Sequence, residues 1–166
     1  MAIYFPNTEL GEASGETWRL TTGFTGDASP MINWERADQT GGGTNYNVLN
    51  ESSGIFTFNQ TGWYHVNWWC YYNGNVNSEW NEMALQLSHN NGGNWTWYQY
   101  AQGWFGSGLQ RYNMNSTATT FHIPSISGNS TRKIRFMMSV DDNNTNINGS
   151  SSQSHTGFTI LKFAEV

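Results

Sequence analysis

The sequence predicts an all-β protein, an antiparallel jelly-roll sandwich of about eight to ten strands. Runs in which apolar and polar residues alternate recur along the 166-residue chain, and such runs indicate strands. Clusters of Gly, Asn, Asp and Ser separate these runs at short intervals, as is usual in antiparallel sandwiches. No stretch has the periodicity or the length of an amphipathic helix.

Composition limits the kinds of partner that the chain can have. Aromatic residues make up 16% of the chain, with nine tryptophans, whereas charged residues make up 11%, less than half of the roughly 25% of an average domain. The net charge is −5, and the basic cluster of Arg132, Lys133 and Arg135 lies in a predicted strand. Because phosphate binding needs clustered Lys and Arg, we expect no nucleic-acid partner.

The single cysteine and the hydropathy pattern bear on disulfide bonding, membrane insertion and secretion. Cys70 is the only cysteine, so no internal disulfide can form, and its aromatic neighbours indicate a buried, inert thiol. No run approaches the roughly 18 apolar residues of a membrane span, so we expect no membrane insertion. No basic and apolar leader follows Met1, and we therefore expect no signal peptide.

The first third of the chain is predicted to contain an arm and the start of one domain. Residues 1–16 are predicted to form a polar N-terminal arm, and residues 17–166 a single domain. Alternating runs predict strands at 18–22 and 31–37, with a Gly-Asp-Ala-Ser-Pro turn between them. A short extended piece is predicted at 46–49.

The segment 54–72 carries the strongest pattern. It predicts a hairpin with a short strand, a tight turn at Thr61-Gly62, and a long strand that is aromatic on both faces. The even positions of the long strand are Tyr64, Val66, Trp68, Cys70 and Tyr72. The odd positions are Trp63, His65, Asn67, Trp69 and Tyr71. Because a half-exposed strand is ordinarily polar on one face, we expect this strand to be covered by a second sheet and by another surface.

Five further strands are predicted beyond this segment. Each alternates apolar with polar residues and is bounded by Gly, Asn or Pro. They are 80–88, 94–101, 117–123, 132–140 and 155–163. A Gly-rich loop at 103–108 is predicted to expose Trp104 and Phe105, and a long polar loop is predicted at 141–154.

The order of the motifs resembles a known family. The segment Gly-Ile-Phe-Thr at 54–57, followed by Gly-Trp-Tyr-His-Val at 62–66, resembles the G-x-F-x…P-G-x-Y-x-F signature of the complement first-component globular head. Ser-His-Thr-Gly-Phe-Thr-Ile-Leu at 154–161 resembles the terminal S-x-F-S-G-F-L-L of that head. The head belongs to the tumour necrosis factor-like jelly-roll superfamily, and the resemblance covers residues 31–163. Thr61 stands where the family has proline, and the chain has no collagen-like stalk.

The resemblance implies a homotrimer in which the inner sheet of each protomer packs about a threefold axis. In that family the long aromatic strand belongs to the inner sheet, with one face in the sandwich and one face toward the axis. The odd positions are therefore predicted to face the other subunits. The predicted trimer-interface residues are Trp63, His65, Asn67, Trp69 and Tyr71.

The sequence offers no set of catalytic residues. The carboxylates of Asp141 and Asp142 are adjacent, and neighbouring side chains in an extended chain point in opposite directions. Some members of the resembled family bind calcium with loop oxygens, but the segment 141–146 lacks the spacing of a calcium loop, which favours a solvated loop. The four histidines lie in separate elements without metal-ligand spacing. We therefore expect no enzyme, no cofactor and no metal.

Exposed aromatic residues are the candidates for ligand binding. Trp and Tyr rings stack on the apolar faces of sugars, while Asn and Gln bind the hydroxyls. Trp95 and Trp97 are predicted to share one face of a strand, with Tyr98 and Tyr100 on the other. Burial in the core or in a subunit contact is the alternative for these aromatic side chains. The predicted ligand-binding residues are Trp97, Tyr98, Trp104 and Phe105.

Two classes of function follow from these observations. The first is a structural protein of a virion, most simply of a bacteriophage: a trimeric capsid decoration or a fibre knob that binds the virion or the host surface. The second is a lectin-like module that recognises a host-surface glycan. The expected partners are further copies of the chain, a capsid or other virion protein, and a host glycan, and the expected location is the virion.

Overall fold

The computed structural model describes residues 14–37, 47–74, 78–104 and 111–164. Within these ranges the chain forms strands and one short 3-10 helix at Gly128–Ser130. The strands are β1 (Ser14–Leu20), β2 (Thr22–Thr25), β3 (Trp34–Arg36), β4 (Leu49–Ser52), β5 (Ile55–Phe58), β6 (Gly62–Gly74), β7 (Trp80–Ser88), β8 (Thr96–Trp104), β9 (Arg111–Ile123), β10 (Lys133–Val140), β11 (Asn146–Ser150) and β12 (Gly157–Ala164). No helix in the described ranges is long and apolar enough to cross a membrane.

The strands form two antiparallel sheets, and the predicted jelly-roll sandwich is confirmed. The large sheet has the order β2-β11-β6-β12-β1-β3, with β9 paired to β6. The small sheet has the order β4-β5-β10-β7-β8. Strand β9 pairs with β6 from Gly62 to Gly74, so β12 and β11 share the opposite edge of β6. The long aromatic strand is therefore central in the large sheet.

The predicted hairpin at 54–72 was wrong, because β5 and β6 belong to different sheets. Strand β5 pairs with β4 and β10, whereas β6 pairs with β9, β11 and β12. The connecting residues 59–61 cross from one sheet to the other. Three extended residues span about 10 Å, which is the distance between packed sheets. Across this connection the rings of Phe58 and Tyr64 lie 4.8 Å apart.

Several strands extend into segments that were predicted to be irregular. Strand β1 begins at Ser14, so the last three residues of the predicted arm belong to the large sheet; residues 1–13 lie outside the described ranges. Strand β9 begins at Arg111 rather than at 117, and β11 lies inside the predicted polar loop at 141–154. In each case, residues whose side chains have weak strand propensity form part of a strand because their backbone groups hydrogen-bond to a neighbouring strand.

Aromatic rings fill the space between the two sheets. Phe158 of β12 has its ring centroid 4.5 Å from that of Phe136 and 4.9 Å from that of Phe56, on the facing sheet. Trp18 and Trp34 close this cluster from β1 and β3 at 6.3 and 5.6 Å from Phe158. These side chains are buried, and edge-to-face pairs dominate among them, as aromatic quadrupoles favour.

Candidate functional site

The alternation of β6 divides its aromatic residues between two environments. Every even-numbered side chain from Tyr64 to Tyr72 is buried in the sandwich core. The odd-numbered side chains are exposed or half-buried on the outer surface of the large sheet. The residues predicted to contact other subunits, namely Trp63, His65, Asn67, Trp69 and Tyr71, therefore share one solvent-facing surface. Their contact with another subunit stays a prediction.

Neighbouring strands extend this surface with further apolar side chains. We call it the large-sheet face; it comprises Trp63, His65, Asn67, Trp69 and Tyr71 of β6, Tyr112, Met114 and His122 of β9, and Leu161 and Phe163 of β12. Five of these are large hydrophobic side chains that expose between 42% (Trp63) and 66% (Tyr112) of their surface. Exposed large apolar side chains that gather on one face of a folded domain commonly mark a site of association.

Ring contacts hold the side chains of the large-sheet face in place. Trp63 stacks on His122 with ring centroids 5.0 Å apart. At the other end of β6, Tyr71 stacks on Tyr112 at 6.1 Å and meets His155 edge-on at 5.6 Å. These contacts order large side chains before any partner binds, which lowers the entropy cost of association.

Trp69 is fixed from two sides in the middle of the same face. Its Nε1 donates to the carbonyl oxygen of Ser154 at 3.0 Å. Gly157 lies against the ring, since a Cβ at that position would come within 2.9 Å of Trp69 Cζ2. The half-buried indole therefore contributes a flat, immobile surface between the two ring pairs at the ends of β6.

A second aromatic surface lies on the outer side of the small sheet. We call it the β8 face; it comprises Trp97, Tyr100, Gln102 and Trp104. Trp97, Tyr100 and Trp104 expose 50%, 60% and 67% of their surface, respectively. Trp104 lies directly opposite Trp80, and Tyr100 opposite Ala84. The face thus combines three exposed rings with one amide side chain.

The β8 face differs from the sequence prediction because of a bulge. The register between β7 and β8 shifts at Leu85 and Gln86, so that Trp97 pairs with Gln86 and Gln99 with Leu85. Trp97 and Tyr100 consequently share one face, with ring centroids 6.4 Å apart, and their predicted placement on opposite faces was wrong. A bulge of one residue reverses the alternation beyond it, and no residue in this run signals it.

The remaining predicted ligand-binding residues are separated from this face. The ring of Tyr98 turns toward β9, where it meets Phe121 edge-on at 5.6 Å and its hydroxyl donates to the Thr120 carbonyl at 3.4 Å. Phe105 lies outside the described residues. The structure therefore brings Trp97 and Trp104 together with Tyr100, which the sequence prediction had not included.

Two other candidate reactive groups, the thiol of Cys70 and the carboxylate of Asp142, are buried or hydrogen-bonded within the protein. Cys70 is fully buried, and desolvation raises the pKa of its thiol to about 12, so the prediction of a buried thiol is confirmed. In the loop after β10, Asp142 Oδ1 accepts hydrogen bonds from the backbone and side-chain nitrogens of Asn144. No group of three or more His, Cys, Asp or Glu side chains that could hold a metal occurs in the described ranges.

Comparison with solved structures identifies the fold. The chain is similar to the Eiger TNF of S. frugiperda, with a TM-score of 0.66 at 15% identity over 93% of this chain and 94% of that chain. It is also similar to murine APRIL crystallised at pH 5.0, with a TM-score of 0.64 at 12% identity over 92% of this chain and 100% of that chain. No protein-family model and no curated protein matches the sequence. These likenesses show that the chain has a tumour necrosis factor-like jelly-roll fold.

Proposed function

We propose that this chain is a non-enzymatic, homotrimeric binding module of a virion, a capsid-decorating protein or a fibre knob. Its copies contact one another through the large-sheet face. The observation that carries this proposal is the concentration of exposed hydrophobic side chains on one surface of the central sheet. Since five large apolar side chains project from a single sheet face, burial between identical copies is the simplest way to remove them from water.

Composition supports the virion part of the proposal. The surface depends on Asn, Ser, Thr and Gly for its polarity, because charged residues make up only 11% of the chain. Such a surface suits close packing against a large neutral assembly, since few charges must be desolvated on contact. In the described part of the chain the ion pairs include Arg19–Glu35 and Arg36–Glu16, and neither lies among the residues of the large-sheet face.

Leu161→Arg is expected to convert the trimer into protomers. Leu161 lies opposite His65 on the large-sheet face, so each trimer would bring three unpaired guanidinium groups into the subunit contacts. We expect the dissociation constant to rise by at least about 100-fold, since an unpaired buried charge costs several kcal/mol. Sedimentation velocity of the full chain measures this: the wild type should have three times the 18.8 kDa mass of one chain.

The matched control is Ile32→Arg, which places the same charge at an exposed apolar side chain outside the large-sheet face. Ile32 lies beside Trp34, Glu51 and Ser53, and the substitution should leave the mass unchanged. A wild-type chain that sediments as a single protomer at micromolar concentration would exclude the proposed trimer.

A second candidate function is the recognition of a neutral glycan by the β8 face. The observation that favours it is the alignment of three exposed rings along one strand with Gln102 between two of them. Ring faces stack on the apolar sides of sugars, and the amide supplies both a donor and an acceptor for hydroxyl groups. The competing explanation of the β8 face is that Trp104 becomes buried in a contact with another protein.

Trp104→Ala separates the two candidate functions. If the β8 face binds a glycan, we expect the affinity of this variant for that oligosaccharide on a glycan array to fall about tenfold. This is the loss of affinity expected when one stacked aromatic contact is removed. Co-sedimentation of the same variant with purified virus particles should then be unchanged. Loss of particle binding without any glycan bound by the wild type would assign the β8 face to protein contact. Ile126→Ala, at an exposed apolar side chain outside both the β8 face and the large-sheet face, serves as the control.

A further inference from the structure

Three of the four histidines lie on or beside the large-sheet face. His65 is on β6, His122 is on β9, and His155 precedes β12 and contacts the ring of Tyr71. The fourth, His89, is exposed in the turn after β7. Histidine is the side chain whose charge ordinarily changes between pH 5 and 8. The surface that we assign to self-association is therefore the one on which the histidines concentrate.

His65 and His122 form one cluster. In the register of β6 and β9, His65 is opposite Thr120 and Trp63 is opposite His122. The two imidazoles are thus diagonal cross-strand neighbours, a relation that places side chains about 7–8 Å apart. His65 Nδ1 lies 3.2 Å from Thr120 Oγ1. The Nε2 atom of His122 is buried and has no hydrogen-bond partner in the described structure.

The groups that face this cluster carry no charge. On β9 they are Ala118 and Thr120; on β6, Trp63 and Asn67; and on β12, Thr159, Leu161 and Phe163. Two ionisable side chains in neighbouring strands point elsewhere or are paired. Lys162 is buried and donates to Gln60 Oε1 at 2.9 Å. Arg19 lies on the same face of the sheet, level with Trp69 and beyond β12, and it pairs with Glu35 of β3 at 2.7 Å.

The other titratable residues of β6 and β9 lie toward the opposite end of the strand pair. Tyr71 and Tyr112 form their ring pair there, and a tyrosine ordinarily ionises only in alkaline solution. Arg111 is opposite Gly74, at the end of β6 farthest from Trp63. In the described part of the face, no carboxylate is therefore positioned to neutralise a protonated His65 or His122.

We propose that His65 and His122 make self-association pH-dependent, so that the trimer holds at neutral pH and separates into folded protomers as the pH falls toward 5. The inference rests on the proposed trimer. When both imidazoles are neutral, burial between subunits removes mainly apolar surface from water. When both are protonated, burial must desolvate two cations in each of three subunits without a counter-charge, and the cations repel one another.

The direction of the effect follows from proton linkage. Burial disfavours the charged form of an imidazole, so the protomer binds more protons than the assembled trimer does. Association therefore releases protons. The free energy of association is fully present above the range in which free histidines titrate, and it diminishes as the pH falls through that range.

Sedimentation velocity of the full chain from pH 8 to pH 4.5, at constant ionic strength, tests the inference. We expect a trimer at pH 8 and a protomer at pH 5, with an unchanged circular dichroism spectrum because the protomer stays folded. The association constant should fall at least 100-fold over this interval. A trimer at every pH would overturn the switch while leaving the proposed trimer intact, whereas a protomer at pH 8 would overturn the trimer itself.

Substitution assigns the effect to the two residues. The double variant His65→Gln, His122→Gln should remain trimeric at pH 5. His89→Gln is the control, because His89 lies outside the face, where desolvation and the charge of Arg132 lower its pKa. His89→Gln should dissociate as the wild type does. Acid dissociation of the double variant would overturn the assignment.

An NMR titration of the wild-type chain tests the same assignment without any substitution. The imidazole resonances of His65 and His122 should titrate together with the loss of the trimer. If they titrate in a different pH range from the dissociation, the assignment fails even where the double variant does not fold.

Discussion

Phe158→Ala is expected to lower the free energy of unfolding by about 3–5 kcal/mol, the cost of emptying a large aromatic site in a rigid core. Phe158 is fully buried between the sheets. Its ring contacts four others, from both sheets, at centroid distances from 4.5 to 6.3 Å. The remaining rings cannot collapse into the space, because each is held by its own strand. Urea unfolding at fixed protein concentration measures the change.

Tyr100→Ala provides the aromatic control for this measurement. Tyr100 is 60% exposed on the β8 face, and its loss should cost less than about 1 kcal/mol, since surface substitutions seldom cost more. The fixed concentration matters, because association of protomers adds to the apparent stability. Equal losses for the two variants would show that the ring cluster around Phe158 is not the centre of the core.

Glu16→Ala should destabilise the fold by about 2–5 kcal/mol, although it removes a charged residue that was predicted to lie in a polar arm. Glu16 is 2% exposed. Its carboxylate accepts from Trp18 Nε1 at 2.9 Å and from the backbone nitrogen of Val48 at 2.8 Å, and it lies 3.4 Å from Arg36 Nη2. The alanine leaves two buried donors without an acceptor, and thermal or urea unfolding measures the cost.

Glu16→Gln tests whether hydrogen bonding causes this loss. The amide keeps one acceptor oxygen and turns its NH2 group toward the second donor. The variant should therefore lose roughly half as much stability as Glu16→Ala. Full retention of stability in Glu16→Gln would mean that one hydrogen bond is sufficient. A loss as large as that of the alanine variant would assign the effect to the ion pair with Arg36.

The fold class could be predicted because alternation is a local property. Between Trp63 and Tyr72 each residue contributes to one face or the other, and the structure separates the even and odd side chains as the pattern requires. The period of two depends only on extended backbone, so it survives whatever partners the strand has. The residues of the large-sheet face on β6 were accordingly identified from the sequence.

Features that depend on distant partners could not be predicted in this way. The pairing of β5 with β10 rather than with β6 follows from the packing of two sheets. The bulge that brings Trp97 and Tyr100 together depends on the register against β7. Glu16 is buried because Trp18 and the backbone of Val48 require an acceptor, and a polar sequence around it gives no sign of that requirement.

At the candidate site, the proximity of His65 and His122 could not be predicted from the sequence either. His65 and His122 are 57 residues apart in the sequence, and neither has a motif around it. They become neighbours only through the register of β6 and β9, in which Trp63 lies opposite His122. From sequence spacing alone we interpreted both as isolated structural residues, whereas strand pairing places His65 opposite Leu161 and His122 opposite Trp63 on the same face.

The position of β12 between β1 and β6 has a consequence for how the chain folds. Thr17 of β1 bonds to Thr159 of β12 across 142 residues of sequence, so this pairing closes a very long loop. Closure of such loops makes β-sandwiches slow to fold, on a scale of milliseconds to seconds. During synthesis, β1 and β6 each keep an open edge until β12 leaves the ribosome. During that interval the nascent chain exposes two unpaired strand edges to which other strands can bind, and its protection from aggregation depends on how soon β12 is synthesised.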